Sequence, residues 1–295
     1  MKTVTVVAPS SRSSKEELKR SVKVLRDWGI EARFPKNMMI NKIPYLAQTD
    51  DVRFELFKAA LKDESDVIWG IRGGFGAIRL IENLTKLKAP KNKIFIGLSD
   101  HSILHLLFNQ FWGLPTVHAP VLNRLGDAKC PVKEKALLKE FLSSGRLSIQ
   151  HSSLKPMNLA ALRERTINAS VVGGNLVSLQ SLQGTPFQLK ARGKILFLED
   201  IGERGYAIDR ALTSLKLCGS LAGCKAIVFG DFTSTKESNG KDHSIYALKS
   251  FAESLNIPVF RGVKSGHGKL QLPVIFGKRS KLLCDGNRTR LEQVW

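Results

Sequence analysis

The stretch Lys93-Ile94-Phe95-Ile96-Gly97-Leu98-Ser99-Asp100-His101-Ser102 decides the fold. An apolar run of strand length breaks at a glycine and presents a serine. It then passes into the helical spacing of Ser102-Ile103-Leu104-His105-Leu106-Leu107. Read as a buried parallel strand, it puts Ser99 on the tight turn at the strand's carboxyl end, where open α/β sheets place their chemistry. The same geometry describes a nucleophile elbow, a sharp strand-to-helix turn that exposes a serine hydroxyl beside backbone N–H groups and a positive helix start. A plainer reading makes Ser99 or Asp100 a helix N-cap, and His101 stands where a Gly-x-Ser-x-Gly elbow would have its second glycine.

Outward from this stretch, strand and helix alternate. Thr3–Ala8 is β-branched and apolar, Lys15–Trp28 has helical periodicity and stops at Gly29, and Glu31–Phe34 is a short strand. Asp50–Leu61 returns to helix after Thr49, and Asp66–Ile71 is a second buried strand. It leads into Arg72-Gly73-Gly74-Phe75-Gly76, a helical Ala77–Leu84 and, beyond the central stretch, a short strand at Thr116–His118. Strands separated by helices of this length predict an α/β fold, an N-terminal parallel-sheet domain over residues 1–125. A basic segment with one helical pattern from Val132 to Phe141 is expected as a linker over 126–165. Strands at Ala169–Val172, Lys194–Leu198, Ala226–Phe229 and from Val274 onward predict a smaller mixed α+β C-terminal domain over 166–295.

Composition narrows the class. The 295 residues are 43% hydrophobic and 24% charged, enough for one large core or two smaller ones. No run approaches the length a membrane helix needs, and the amino terminus lacks a signal-peptide pattern, so a cytoplasmic location is expected and no membrane partner. The cysteines Cys130, Cys218, Cys224 and Cys284 form no C-x-x-C pair and have no histidines at zinc spacing, which points to reduced thiols, no metal and no cofactor. With 46 Lys and Arg against 26 Asp and Glu, the formal charge is +20, a field that favours anionic partners. Those cations are spread over ordinary amphipathic helices, and no nucleic-acid motif accompanies them. Nucleic-acid binding without catalysis is therefore the rival reading and not the first one.

The glycine turn at 72–76 lacks the Lys-Ser/Thr of a P-loop and the spacing of a dinucleotide fingerprint. At a strand end it could instead bring backbone N–H groups to a reacting carbonyl, as an oxyanion hole requires. Two further stretches supply partners for a serine. Lys194-Ile195-Leu196-Phe197-Leu198-Glu199-Asp200 ends an apolar run in two carboxylates, and Lys264-Ser265-Gly266-His267-Gly268 sets a histidine between glycines. Nucleophile, acid and base each follow an apolar run.

The chain resembles the LD-carboxypeptidase family of serine peptidases, which includes the microcin-immunity peptidases. The likeness runs almost end to end. It is carried by Val6-Val7-Ala8-Pro9-Ser10, Tyr45-Leu46-Ala47-Gln48-Thr49-Asp50, Arg72-Gly73-Gly74-Phe75-Gly76, Gly97-Leu98-Ser99-Asp100 and His118-Ala119-Pro120-Val121. Gly173-Gly174-Asn175-Leu176, Leu198-Glu199-Asp200-Ile201-Gly202-Glu203 and Gly266-His267-Gly268 complete it. The resemblance implies a Ser99, Glu199 and His267 triad, and an oxyanion hole from the backbone of Asp100 and of Gly73 or Gly74. Arg72, Phe75 and Asn175 are expected on the substrate side, and the working unit is expected to be a homodimer. The reaction implied is release of a terminal D-amino acid, D-alanine, from murein tetrapeptides in peptidoglycan recycling, with a small anionic peptide as partner. Hydrolysis of a microcin-like acyl-adenylate is the alternative within the family. Phe75 replaces the family's usual tyrosine, and the loop after His267 reaches Leu272-Pro273 early.

Overall fold

The computed structural model describes residues 1–40, 43–285 and 288–295. The chain divides into two compact units, residues 1–147 with Trp295, and residues 148–294.

In the first unit, β1 (Thr3–Val7), β2 (Glu31–Arg33), β3 (Val67–Gly70), β4 (Ile94–Gly97) and β5 (Thr116–His118) form a parallel sheet in the order β2-β1-β3-β4-β5. Its helices are α1 (Lys15–Asp27), α2 (Asp50–Lys62), α3 (Ile81–Thr85), α4 (Ser102–Leu106), α5 (Leu122–Leu125) and α6 (Val132–Ser144). The central strands β3 and β4 are short and wholly apolar because both their faces are covered. Val67, Ile68, Trp69, Phe95 and Ile96 are all sealed from solvent. Helix α1 starts where its sequence says it should. Ser14 accepts from the Glu17 backbone N–H at 3.0 Å, and Glu17 returns a bond to the Ser14 N–H at 2.8 Å, a complete capping box. Helix α2 starts at Thr49 as expected, but no side-chain bond caps it. The pattern at Ala77–Leu84 divides into a 3₁₀ turn, Ala77–Leu80, followed by α3.

In the second unit, β8 (Arg165–Asn175), β9 (Ile195–Ile201), β10 (Ala226–Thr233) and β11 (Val259–Arg261) run parallel in that order. Strand β7 (Lys155–Pro156) pairs antiparallel with β11, and β12 (Val274–Phe276) lies parallel to β8. The antiparallel strands β6 (Ser148–Ser152), β13 (Arg279–Cys284) and β14 (Arg290–Val294) extend the long β8. Helices α7 (Leu176–Gln180), α8 (Gly205–Leu217) and α9 (Ser244–Glu253) complete the unit. Its core joins Val171, Ile195, Phe197, Val228, Phe260 and Phe276.

The second unit is as long as the first, and its parallel strands alternate with helices as the first unit's do. Residues 126–165, expected as a linker, are folded and shared. Helix α6 belongs to the first unit, and strands β6 and β7 belong to the second. Among the described residues, no helix is long and apolar enough to cross a membrane, and no group of His, Cys, Asp and Glu could hold a metal ion. All four cysteines are free.

Candidate active site

In the first unit, Ser99 stands one residue, Leu98, beyond the end of β4 and adopts φ +68°, a backbone conformation a non-glycine residue takes only where its surroundings enforce it. The turn is held from both sides. Gly97 must be a glycine, since a Cβ there would lie 2.7 Å from the His101 ring. Gly73 must be one too, because a Cβ there would lie 2.7 Å from Ser99 Cβ and 3.0 Å from its Oγ. The backbone of the glycine turn is thereby brought against the serine hydroxyl, as an oxyanion donor has to be. Gly74 is turned differently. At φ +99° it is exposed, and the space a side chain would need there is filled by Ser11.

The surrounding groups fix this turn. Asp100 does not cap its own helix. Its carboxylate accepts from the Ser10 hydroxyl at 2.5 Å and from the Ala77 N–H at 2.8 Å, bracing the end of the glycine turn against the end of β1. Burial raises the Asp100 pKa, against the pull of those two hydrogen bonds. Arg53, sealed from solvent, donates to the carbonyls of Pro9 and Gly76 and pairs with Asp50 at 2.5 Å. Ser11 donates to the Tyr45 carbonyl at 2.7 Å and accepts the Phe75 N–H at 3.2 Å, and its own N–H reaches the Gly73 carbonyl at 3.1 Å.

At the rim, Phe75 stands 45% exposed with its ring edge-on to Tyr45 at 5.8 Å. The Arg72 side chain is half exposed, 4.0 Å from Glu17. Arg72, Arg12, Lys15, Arg20 and Lys36 are among the residues lining an open cavity of about 1040 Å³.

Beneath the elbow lie buried histidines. The His105 ring nitrogens meet Thr116 Oγ1 at 2.8 Å and the Gly97 carbonyl at 3.0 Å. Burial pushes the His101 imidazole down to about 3 and the His105 imidazole down to about 4, so both are neutral props.

In the second unit, β9 continues through both acids, so alternation sends them to opposite faces. Glu199, with no solvent exposure, accepts the Nδ1–H of His267 on Oε2 at 2.7 Å. Its Oε1 has no hydrogen-bond partner among the described residues. That bond fixes the tautomer and leaves Nε2 as the proton acceptor. Burial works to lower the His267 pKa, but the Glu199 hydrogen bond and the charges of Glu199, Asp200 and Asp231 outweigh it and the net shift is upward.

Asp200 turns away from His267. It accepts from the Val177 N–H at 2.9 Å, the Ile201 N–H at 2.7 Å and the Asn175 side-chain amide at 3.1 Å. Burial, then the neighbouring Glu199 charge, pushes its carboxyl up to about 7. Asn175, expected on the substrate side, is a buried N-cap. Its Oδ1 takes the Ser178 N–H and hydroxyl, and its amide goes to Asp200.

Sequence reading missed Asp231, Arg53 and Ser11. Asp231 had a signal, since in sequence it follows an apolar run, Ile227-Val228-Phe229-Gly230-Asp231, as Glu199 does. Arg53 and Ser11 carry no pattern, because their roles depend on backbone carbonyls from distant segments.

Residues 4–119 match the LD-carboxypeptidase N-terminal domain, and residues 168–282 match the LD-carboxypeptidase C-terminal domain. A putative carboxypeptidase of Rickettsia conorii is 37% identical over 285 residues, 95% of this chain and 87% of that protein. The murein tetrapeptide carboxypeptidase of Pseudomonas aeruginosa is 30% identical over 295 residues, 97% of this chain and 94% of that one. The crystal structure of muramoyltetrapeptide carboxypeptidase from Oxalobacter formigenes aligns with a TM-score of 0.85 at 26% identity, over 98% of both chains. With both family domains matched in order and relatives alike over nearly the whole length, the chain belongs to the LD-carboxypeptidase family of peptidases.

Proposed function

We propose that this protein is a serine-type LD-carboxypeptidase that cleaves the bond between an L-centre and a terminal D-amino acid, releasing D-alanine from murein tetrapeptides during peptidoglycan recycling in the cytoplasm. The observation that carries the reading is the Glu199–His267 bond, which prepares an imidazole as a general base in a chain that also presents Ser99 on a left-handed elbow. The names of the Pseudomonas and Oxalobacter relatives supply the substrate class.

In this mechanism His267 Nε2 takes the Ser99 hydroxyl proton as Oγ attacks the scissile carbonyl. The oxyanion is held by the backbone N–H groups of Gly73 and Asp100. His267 then gives its proton to the leaving amine of the D-residue, and the C–N bond breaks to leave an acyl-serine. Water, deprotonated by His267, hydrolyses that ester and restores Ser99. Glu199 orients the ring and stabilises the imidazolium. Arg72, half exposed beside the glycine turn, supplies a cation for a substrate carboxylate, and Phe75 with Tyr45 supplies an apolar wall. Asn175 braces Asp200 and the start of α7.

The experiment is product analysis with a tetrapeptide ending in D-Ala and its all-L counterpart. Release of D-alanine from the first alone supports the reading. Equal hydrolysis of both, or no hydrolysis together with tight, strongly salt-dependent nucleic-acid binding, overturns it.

A further inference from the structure

His267 stands between two glycines, and each leaves the place of its side chain to a carboxylate. A Cβ on Gly266, which holds φ +118°, would lie 2.7 Å from Glu199 Oε2, and a Cβ on Gly268 would collide with Asp231 Oδ2. The first carboxylate is the acid already described. The second comes from a different strand.

Asp231 reaches this position through a bulge. The pairing of β9 with β10 shifts register between Phe229 and Phe232, and such an extra residue re-aims a side chain. Gly230 makes the bulge possible, since a Cβ there would lie 2.5 Å from the Ser265 carbonyl oxygen and 2.8 Å from the Phe197 ring. The histidine loop is stitched to the same bulge along its length. Gly262 and Val263 donate to the Phe229 carbonyl at 3.1 and 3.2 Å, the Asp231 N–H donates to the Ser265 carbonyl at 2.9 Å, and the Gly268 N–H is bonded to the Asp231 carboxylate.

We propose that Asp231 is a positioning residue for the catalytic base: it anchors Gly268, the residue after His267, and adds its negative charge to those of Glu199 and Asp200 around the imidazole. A single bond at Nδ1 leaves the ring free to swing about that atom, and anchoring the backbone at the following residue removes the swing. The inference rests on His267 acting as the base.

The ionisable groups facing His267 are Glu199 and Asp200 from β9 and Asp231 from the β10 bulge, and Lys264 and Lys269 flank it in its own loop. Asp231 in turn faces Glu199 and His267. Burial, then the Glu199 charge, pushes its carboxyl up to about 6, so it is ionised at neutral pH.

The test uses the full chain. The His267 ring resonance, identified by its loss in His267→Gln, is titrated by NMR in wild type, Asp231→Asn and Asp231→Glu, and D-alanine release is followed across pH. The inference expects Asp231→Asn to lower the His267 titration midpoint and carry the acid limb of kcat/KM with it. Asp231→Glu, which keeps the charge but not the reach, holds the midpoint near wild type and loses kcat. Asp231→Ala lowers kcat about 10- to 100-fold with KM little changed, the scale of a small misplacement of a reacting group. An unmoved midpoint in Asp231→Asn overturns the inference, and so does a defect in Asp231→Ala confined to KM, which marks a substrate contact instead. Turnover that survives in His267→Gln overturns the base assignment itself, and the two failures are thereby told apart.

Discussion

The carboxylate of Glu199 accepts the Nδ1–H of His267 at 2.7 Å from a position wholly closed to solvent. The next residue, Asp200, spends its oxygens on the backbone of Val177 and Ile201 and on Asn175. Substitution should separate the two roles. Glu199→Gln preserves shape and removes the charge that stabilises the imidazolium, so kcat should fall by roughly 10⁴ with the fold intact. Asp200→Asn should keep most of the activity and lose about 1–2 kcal/mol of stability, as a broken cap does. Steady-state kinetics and urea unfolding of both variants check this, and a larger kcat loss in Asp200→Asn would contradict it.

The pH dependence has a definite sign. A general base works when neutral, and the His267 pKa is raised above 6.5 by Glu199, Asp200 and Asp231 against the effect of burial. The acid limb of kcat/KM should therefore lie above pH 6.5. The same shift stabilises the folded state fully below the unfolded value, a contribution lost as pH rises through the folded one. A kcat/KM profile with its acid limb below pH 6 would contradict this.

Gly73→Ala should damage catalysis more than stability. The new methyl would stand 2.7 Å from Ser99 Cβ and 3.0 Å from Oγ, so the nucleophile or the turn must move. A loss on the order of 100-fold in kcat is expected, since small displacements at the reacting centre cost that much. Gly74→Ala is a control, because the clash there is with Ser11 and the strain comes from its positive φ. Equal kinetic defects in the two variants would argue against Gly73 lying at the oxyanion.

Buried neutral histidines make the first unit sensitive to acid. The unfolded chain takes up protons below pH 6.5, whereas His101 and His105 resist to about 3 and 4. Stability should fall as pH drops from 6.5 toward 4, by up to several kcal/mol, because each pKa unit is worth about 1.4 kcal/mol. Urea unfolding across that range measures the slope, which His105→Gln should flatten. An unchanged slope in that variant would show that other groups carry the acid sensitivity.

Much of this arrangement was legible in the chain. The apolar run at 94–97 followed by Ser99 reads as strand and turn, because a parallel strand buried on both faces has no other pattern to show. Alternation along β9 sends Glu199 and Asp200 to different partners, His267 for the first and Val177, Ile201 and Asn175 for the second. Less legible were the residues that act across sequence distance. The bonds that Asn175 makes to Ser178 and Asp200 cap α7, a role that composition does not reveal. Asp231 became visible only through the bulge that re-aims it. The stretch 126–165 reads as a linker because its basic charge masks two short strands whose partners lie more than a hundred residues away.

The proposed chemistry stands or falls on Ser99. The most direct measurement is the rate of D-alanine release from a tetrapeptide substrate by wild type and by Ser99→Ala at equal folded concentration. Removing a triad nucleophile costs on the order of a millionfold in kcat, while a partly buried elbow serine contributes little packing through its hydroxyl, so activity should vanish with stability nearly unchanged. Release by Ser99→Ala within about tenfold of the wild-type rate would contradict the assignment, since such a rate leaves no room for a covalent serine step.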